Sequence, residues 1–183
     1  MKSFKPWGAV CGIFSLAILA TPIFAADWKM FTDKTDGVAF NYPNTWVVKP
    51  QRTNAFRVKV GEIGELAFCT LGTTVVPKLK GVSAEEMVRS TSKQDLINGA
   101  KQKGTDLTIL DFQATKVGNR HALYTESESI YQSLDNIIPV RSLNVTTKVD
   151  DRVYILSCFS SPADLPKHRS MFRSILSSLT IRF

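Results

Sequence analysis

The chain has 183 residues and a formal net charge of +7, with 44% hydrophobic and 21% charged residues. This length and apolar content are sufficient for one domain with a sizeable core. The basic residues form no block of like charge, so the composition argues against nucleic-acid binding and favours acidic partners or anionic lipid only weakly.

The N-terminal residues have the pattern of a secretory signal peptide. Lys2 and Lys5 precede an apolar run over residues 7–24, and the small residues Ala25 and Ala26 follow it. A basic start, an apolar middle and a small-residue boundary predict cleavage after Ala25 or Ala26. A retained membrane anchor is the alternative, but glycine, serine, threonine and proline interrupt the apolar run.

The predicted organisation is therefore a signal peptide over residues 1–25 and one domain over residues 26–183. No second apolar segment of the sequence is long enough to span a bilayer. The short lysine-containing start is typical of bacterial signals. We expect a periplasmic protein whose mature chain has no transmembrane segment.

The mature chain is predicted to open with a hairpin over residues 36–48. Apolar residues alternate from Val38 to Tyr42, which is typical of a strand with one apolar face. Pro43 and Asn44 then supply a turn, and a second strand is expected to begin at Trp46.

Alternation predicts further strands along the chain. They lie at residues 27–32, 56–60, 66–71, 107–112, 121–130, 139–149 and 153–159. The strands at 66–71 and 153–159 are apolar on both faces, so we expect them at the centre of the sheet. Asp150-Asp151 is expected to form a tight hairpin turn.

Two helices are predicted. The first covers residues 83–103, beginning with a capping box of Ser83 and Glu86 and ending before Gly104. The second is expected to be capped by Ser161 and to place an apolar stripe, including His168, on the sheet.

Three basic side chains of the first predicted helix are candidates for a partner surface. They are Arg89, Lys93 and Lys101. Arg89 and Lys93 are four residues apart, a spacing that places two side chains on one face of a helix. A solvated face without a partner is the alternative.

Two cysteines of the mature chain, Cys69 and Cys158, lie in predicted apolar strands. Because the predicted compartment is oxidising, we expect them to form a disulfide. Closing a loop of about 90 residues would stabilise the fold by roughly 4–5 kcal/mol. Two buried free thiols are the alternative.

The sequence gives little support for catalysis. Glu126 and Glu128 point to one side of a predicted strand, which is compatible with an acid/base pair. We favour a solvated pair at a strand edge. Side chains alternate along a strand, so the odd-numbered His121 falls on the face opposite to the even-numbered glutamates. The chain contains no His-Glu-x-x-His, paired Cys-x-x-Cys, Gly-x-Ser-x-Gly or phosphate-binding glycine pattern, so we expect no enzyme, metal or cofactor.

The opening and the end of the domain resemble one known family. Tyr42-Pro43, a polar turn and Trp46, together with Ser161-Pro162 and a closing helix that contains residues 171–175, are similar to PsbP-like proteins. That family includes the extrinsic photosystem II subunit and bacterial periplasmic DcrB-type relatives. The resemblance implies an α+β fold, an α/β/α sandwich on a central antiparallel sheet.

The resemblance also implies a non-catalytic protein that binds or scaffolds envelope complexes. The leading hypothesis is an accessory protein that stabilises a membrane-associated envelope complex, such as the secretion apparatus of a host-associated bacterium. The alternative is a small-ligand or lipid-binding protein that uses a groove between the sheet and the helix at 83–103.

Overall fold

Ten strands form two antiparallel sheets in the residues that the computed structural model describes, which are 27–51, 56–132 and 137–182. The strands are β1 (Trp28–Asp33), β2 (Val38–Pro43), β3 (Val47–Pro50), β4 (Phe56–Gly61), β5 (Phe68–Val75), β6 (Leu107–Val117), β7 (Arg120–Gln132), β8 (Ile137–Val149), β9 (Arg152–Ser160) and β10 (Thr180–Ile181). The small sheet has the order β1-β2-β10, and the large sheet has the order β3-β4-β5-β9-β8-β7-β6. The predicted signal peptide over residues 1–25, with its cleavage at Ala25 or Ala26, lies outside the described residues.

Helices cover both faces of the large sheet. They are α1 (Ala84–Ser90), α2 (Lys93–Gln102) and α3 (Leu165–Ser177), and a short 3-10 turn over Pro77–Leu79 precedes α1. The helix α3 and the small sheet lie on one face, whereas α1 and α2 lie on the other. The predicted α+β class, with an α/β/α arrangement on a central antiparallel sheet, is confirmed.

The predicted hairpin over residues 36–48 is wrong, although its turn is present. The amide of Trp46 donates to the carbonyl oxygen of Pro43 at 3.0 Å, as a turn requires. However, β2 pairs with β1 and β10, while β3 pairs with β4 in the other sheet. The turn therefore carries the chain from one sheet to the next. The prediction failed because alternation indicates that a segment is a strand but does not indicate which strand it pairs with.

The single predicted helix over residues 83–103 is two helices. The Ser83 hydroxyl caps α1 by accepting from the Glu86 amide at 3.0 Å, as predicted. Thr91 and Ser92 are extended, and Ser92 caps α2 by accepting from the Asp95 amide at 3.1 Å. The Asp95 carboxylate returns the interaction by accepting from the Ser92 amide at 2.8 Å, so a second capping box interrupts the helix.

The closing helix begins three residues later than predicted, with Asp164 instead of Ser161 in the capping position. The Ser161 hydroxyl accepts from the Asp164 amide at 3.1 Å, but this bond closes a turn ahead of the first helical residue, Leu165. The predicted apolar stripe is confirmed, and His168 is buried within it. Phe172 is fully buried and meets the ring of Trp46 edge-on at 6.3 Å. Burial of one such side chain contributes about 1.5–3 kcal/mol.

The strand at the middle of the large sheet is β9, with β5 on one side and β8 on the other. This confirms the predicted central position of residues 153–159. The predicted hairpin turn is also confirmed, since Val149 pairs with Arg152 around Asp150-Asp151. Asp150 has a φ of 52°, a left-handed conformation that Asp tolerates in tight turns.

A buried carboxylate joins the small sheet to the large one. Asp36, in the turn between β1 and β2, is 1% exposed. Its carboxylate accepts from Arg57 Nε on β4 at 2.9 Å and from Thr73 Oγ1 on β5 at 3.2 Å. Arg152 on β9 also pairs with it. Because a buried carboxylate is costly unless it is paired, these contacts hold the turn over three strands of the large sheet.

The two cysteines face each other across the centre of the large sheet. Cys69 on β5 is directly opposite Cys158 on β9, and both side chains are fully buried. Their Sγ atoms are 2.10 Å apart, at disulfide-bonding distance.

We predict that this disulfide forms and contributes to stability. Replacing both residues in a Cys69→Ala/Cys158→Ala variant should lower the free energy of unfolding by about 2–5 kcal/mol, because the unfolded chain loses its cross-link. Guanidinium unfolding of the two proteins measures the difference. Peptide mapping that finds both thiols alkylated without reduction would contradict the prediction.

Candidate functional site

A cleft lies between the large sheet and the pair of helices α1 and α2. Its volume is about 500 Å³, within the range of small-molecule sites. The predicted groove under the helix at 83–103 is therefore present, but two helices form its roof. The break at Thr91 and Ser92 allows α1 to pack on β7 and β8 while α2 packs on β6.

The floor of the cleft is rich in hydroxyl and amide groups, which follow one another at every second position of β7 and β8. They are Thr125, Ser127, Ser129, Ser142, Asn144 and Thr146. The hydroxyl oxygens of Ser127 and Ser142 are 2.9 Å apart. Asn144 Nδ2 donates to Ser142 Oγ at 3.1 Å and to Thr125 Oγ1 at 3.2 Å. The floor is thus a hydrogen-bonded polar network without charge.

The walls and roof of the cleft are mainly apolar. They include Met87, Leu96, Ala100, Leu107, Ile109, Leu123, Ile155 and Phe159. No residue of α2 is fully buried, so this helix overhangs the cleft without filling it. Gly99 lines the cleft, and a side chain at this position would meet no atom within 4 Å.

Charge is limited to the margin of the cleft. Asp95 and Lys103, near opposite ends of α2, are its two charged lining residues. Hydrogen bonds from Ser92 lower the pKa of Asp95, which keeps its carboxylate ionised. An apolar roof over a neutral hydroxyl floor suits an uncharged ligand with one polar and one apolar face.

On the opposite face of the sheet, the predicted solvated pair of glutamates is wrong for Glu126. This residue is 6% exposed and is held by two bonds from Arg169 of α3, at 2.5 and 2.7 Å. The hydrogen bonds from Arg169 outweigh desolvation and lower the pKa of Glu126. Glu128 is half-buried and accepts from Arg141 Nε at 2.9 Å. These glutamates anchor α3 and the strand β8 rather than standing free in solvent.

The structure does not bring His121 to the glutamates. Its Nε2 atom lies 3.8 Å from Glu85 Oε2, on the face that carries α1. Within the described ranges, no group of three His, Cys, Asp or Glu side chains could hold a metal ion.

The three candidate partner residues Arg89, Lys93 and Lys101 are all exposed. Arg89 belongs to α1, whereas Lys93 and Lys101 belong to α2. The spacing of four between Arg89 and Lys93 is therefore not a helical spacing, since the chain is extended between them. The structure places the three cations on the outer layer of the molecule without joining them into one helical face.

The hairpin of β7 and β8 extends beyond its neighbours, which sequence reasoning missed. In the described part of the chain, β6 pairs with β7 only as far as Ser129, and β9 pairs with β8 only as far as Arg141. Three further β7–β8 pairs continue without a strand on either side. Ile130 is 48% exposed and Ile137 is 69% exposed, and alternation places them on one face.

Where residues are described, no helix is long and apolar enough to cross a membrane.

Comparison with known proteins identifies a family and a fold. The sequence profile of PsbP matches residues 26–181. No curated protein sequence matches the chain significantly.

Solved structures share the fold at low sequence identity. Cyanobacterial PsbP (CyanoP) from Synechocystis sp. PCC 6803 is 16% identical, with a TM-score of 0.62 over 95% of this chain and 98% of that one. The Ran-binding protein Mog1p of Saccharomyces cerevisiae is 7% identical, with a TM-score of 0.57 over 86% of this chain and 96% of that one. A protein from Bacteroides thetaiotaomicron is 12% identical, with a TM-score of 0.52 over 85% of this chain and 48% of that one.

We predict that the stabilisation provided by Glu126 is lost in acid. Its pKa is below the ordinary value of 4.5, so its contribution is complete above that value and disappears as the pH falls through the lowered pKa. In urea unfolding between about pH 2 and pH 7, a Glu126→Gln variant should show a shallower acid loss than the wild type. A Glu65→Gln variant, changed at an exposed turn, should keep the wild-type profile. Parallel profiles for the wild type and Glu126→Gln would contradict this assignment.

Proposed function

Because the chain belongs to the PsbP family, we propose that it is a non-catalytic accessory protein of the bacterial periplasm that binds and stabilises a membrane-associated envelope complex. A secretion apparatus is the specific assembly that we propose. The yeast protein of the same fold is a Ran-binding protein, which supports the use of this fold for binding another protein.

The observation that carries the proposal is the extended β7–β8 hairpin. Ile130 and Ile137 are exposed on a two-stranded extension that has no neighbouring strand within residues 27–51, 56–132 and 137–182. Exposed apolar side chains that project from a domain are typical of a protein-binding site, because a partner removes them from water. We propose that this hairpin inserts its isoleucines into an apolar groove of the partner.

The exposed cations Arg89, Lys93 and Lys101 are proposed as a second contact. They can guide approach to an acidic surface, since charges at the rim of an interface act mainly on the association rate. Such a contact is screened by salt, whereas the apolar contact of the hairpin is not.

We predict position-dependent cross-linking to a membrane-associated protein. A photo-reactive amino acid at Ile130 or Ile137, introduced in living cells, should give an adduct that is recovered in the membrane fraction. The control is the same amino acid at Ile63, which is 78% exposed in the turn between β4 and β5. Equal adducts from all three sites, or no adduct from Ile130 and Ile137, would contradict docking through the hairpin.

Charge reversal separates the two contacts. The triple variant Arg89→Glu/Lys93→Glu/Lys101→Glu should reduce the yield of the Ile130 adduct several-fold. A triple reversal of Lys34, Lys78 and Lys80, which are also exposed, should reduce it less. The same loss in both variants would show that net charge, and not this basic surface, assists docking.

A second candidate function is the binding of a small ligand or lipid in the cleft under α1 and α2. The specific observation is a 500 Å³ space with a neutral hydroxyl floor and an apolar roof. Such an arrangement is typical of pockets in which a few polar groups orient a mostly apolar ligand.

We predict that filling this space abolishes binding. The uncharged fluorophore N-phenyl-1-naphthylamine should bind the wild type saturably. Gly99→Leu should weaken it about tenfold or more, because a Cβ at this lining position meets no atom within 4 Å and the leucine side chain would take up space in the cleft. Replacing Gly within a helix also favours folding, so loss of the fold is not expected. The control is Asn98→Leu on the exposed side of α2, and equal binding by all three proteins would place the fluorophore elsewhere.

A further inference from the structure

A second cavity lies on the other face of the sheet, beside α3. Its volume is about 360 Å³. It is lined by Gln113, Thr115, Lys116, Val117, Tyr124, Val145, Arg173, Leu176 and Ser177. Its lining is more polar than that of the first cleft and contains no carboxylate. Of its two basic residues, Arg173 stands on α3 beside the cavity. Lys116 pairs with His121, so strand alternation directs its ammonium to the face that carries α1.

One cation of this cavity is available to a ligand. Arg173 lies one turn after Arg169 on α3, and Glu126 binds Arg169. Among the described residues, Arg173 forms no ion pair, and its side chain lies beside the neutral hydroxyl of Tyr124. The cavity therefore contains a guanidinium whose charge is not neutralised by a bonded carboxylate.

The acidic groups nearest to the cavity are already occupied. The Glu126 carboxylate is bound by Arg169, and Asp111 accepts from the side-chain amide of Gln113 at 3.1 Å. Asp111 also accepts from the backbone amide of Phe112 at 2.7 Å. Arg169 balances the charge of Glu126, whereas the donors to Asp111 are neutral and fix the position of its carboxylate beside Gln113.

Neutral donors complete the lining. The hydroxyl of Tyr124 is buried beside the side chain of Arg173, although in the described part of the chain it meets no partner at strict hydrogen-bonding geometry. Burial raises the pKa of this phenol, and the adjacent Arg173 side chain only partly offsets that rise, so the hydroxyl stays protonated. Thr115 and Ser177 add two hydroxyls at the wall.

We propose that this cavity binds the phosphate group of a ligand. A phosphate offers several acceptor oxygens in a tetrahedral array, and the planar fork of Arg173 can engage two of them at once. The hydroxyls of Tyr124, Thr115 and Ser177 supply neutral hydrogen bonds. The phosphate belongs either to a soluble molecule or to a lipid headgroup, and this site is independent of the hairpin and of the first cleft.

The experiment compares soluble and lipid phosphate. The purified protein is titrated calorimetrically with inorganic phosphate and pyrophosphate, and is mixed in flotation assays with phosphatidylglycerol or phosphatidylcholine vesicles. We expect saturable binding to at least one of these probes. Binding to the soluble anions assigns a soluble ligand, whereas binding only to phosphatidylglycerol vesicles assigns an anionic lipid headgroup.

Substitutions identify the site. Arg173→Gln should weaken binding at least tenfold, and the variant should fold because Arg173 is exposed. The control Arg182→Gln removes the same charge from an exposed position outside the cavity and should retain binding. No saturable binding to any probe, or equal losses in the two variants, would overturn the proposal.

Discussion

The large sheet has one strongly apolar face and one face rich in hydroxyl groups, and this asymmetry determines the rest of the structure. On the apolar face, Leu143 and Leu156 are excluded from water in one core cluster with Phe172 of α3 and Phe40 of the small sheet. On the other face, only a small apolar cluster around Met87 and Leu123 holds α1. The hydrophobic effect therefore closes one side of the molecule tightly and leaves α2 overhanging an open cleft on the other.

Charged groups then join the layers where apolar packing ends. Asp36, at the edge of the small sheet, forms ion pairs with two arginines, and Glu126 forms an ion pair with Arg169 of α3. Each carboxylate is nearly inaccessible to solvent, so its arginines are needed to offset the cost of burial. The pairing of Glu126 also fixes Arg169, whereas the next arginine along α3, Arg173, has no ion pair within the described residues. Charge pairing thus distinguishes the cations that hold the fold from the one that we propose as a phosphate ligand.

The alternation of apolar residues correctly predicted most strands, the central position of β9 and the tight turn at Asp150, because these features depend on local spacing. The same reasoning failed where a strand's pairing partner had to be known. The strand that ends at Pro43 is followed by a turn, but whether that turn closes a hairpin or crosses between sheets depends on residues more than a hundred positions away in β10. The break in the first predicted helix had a visible signal, Ser92 followed three residues later by Asp95. The apolar spacing of the longer segment concealed it.

By itself, the sequence determined the α+β class, the apolar stripe of α3 and the resemblance to the PsbP family, since these follow from residue type and spacing along the chain. Its basic candidates Arg89, Lys93 and Lys101 are exposed but stand on two helices. Only the tertiary structure decided which cations are paired, where the two cavities lie and how far the β7–β8 hairpin projects. These properties depend on register and on contacts between distant segments, and Glu126 illustrates the reason. Its neighbours in sequence indicate a solvated strand residue, but an arginine 43 positions later makes it a buried anchor.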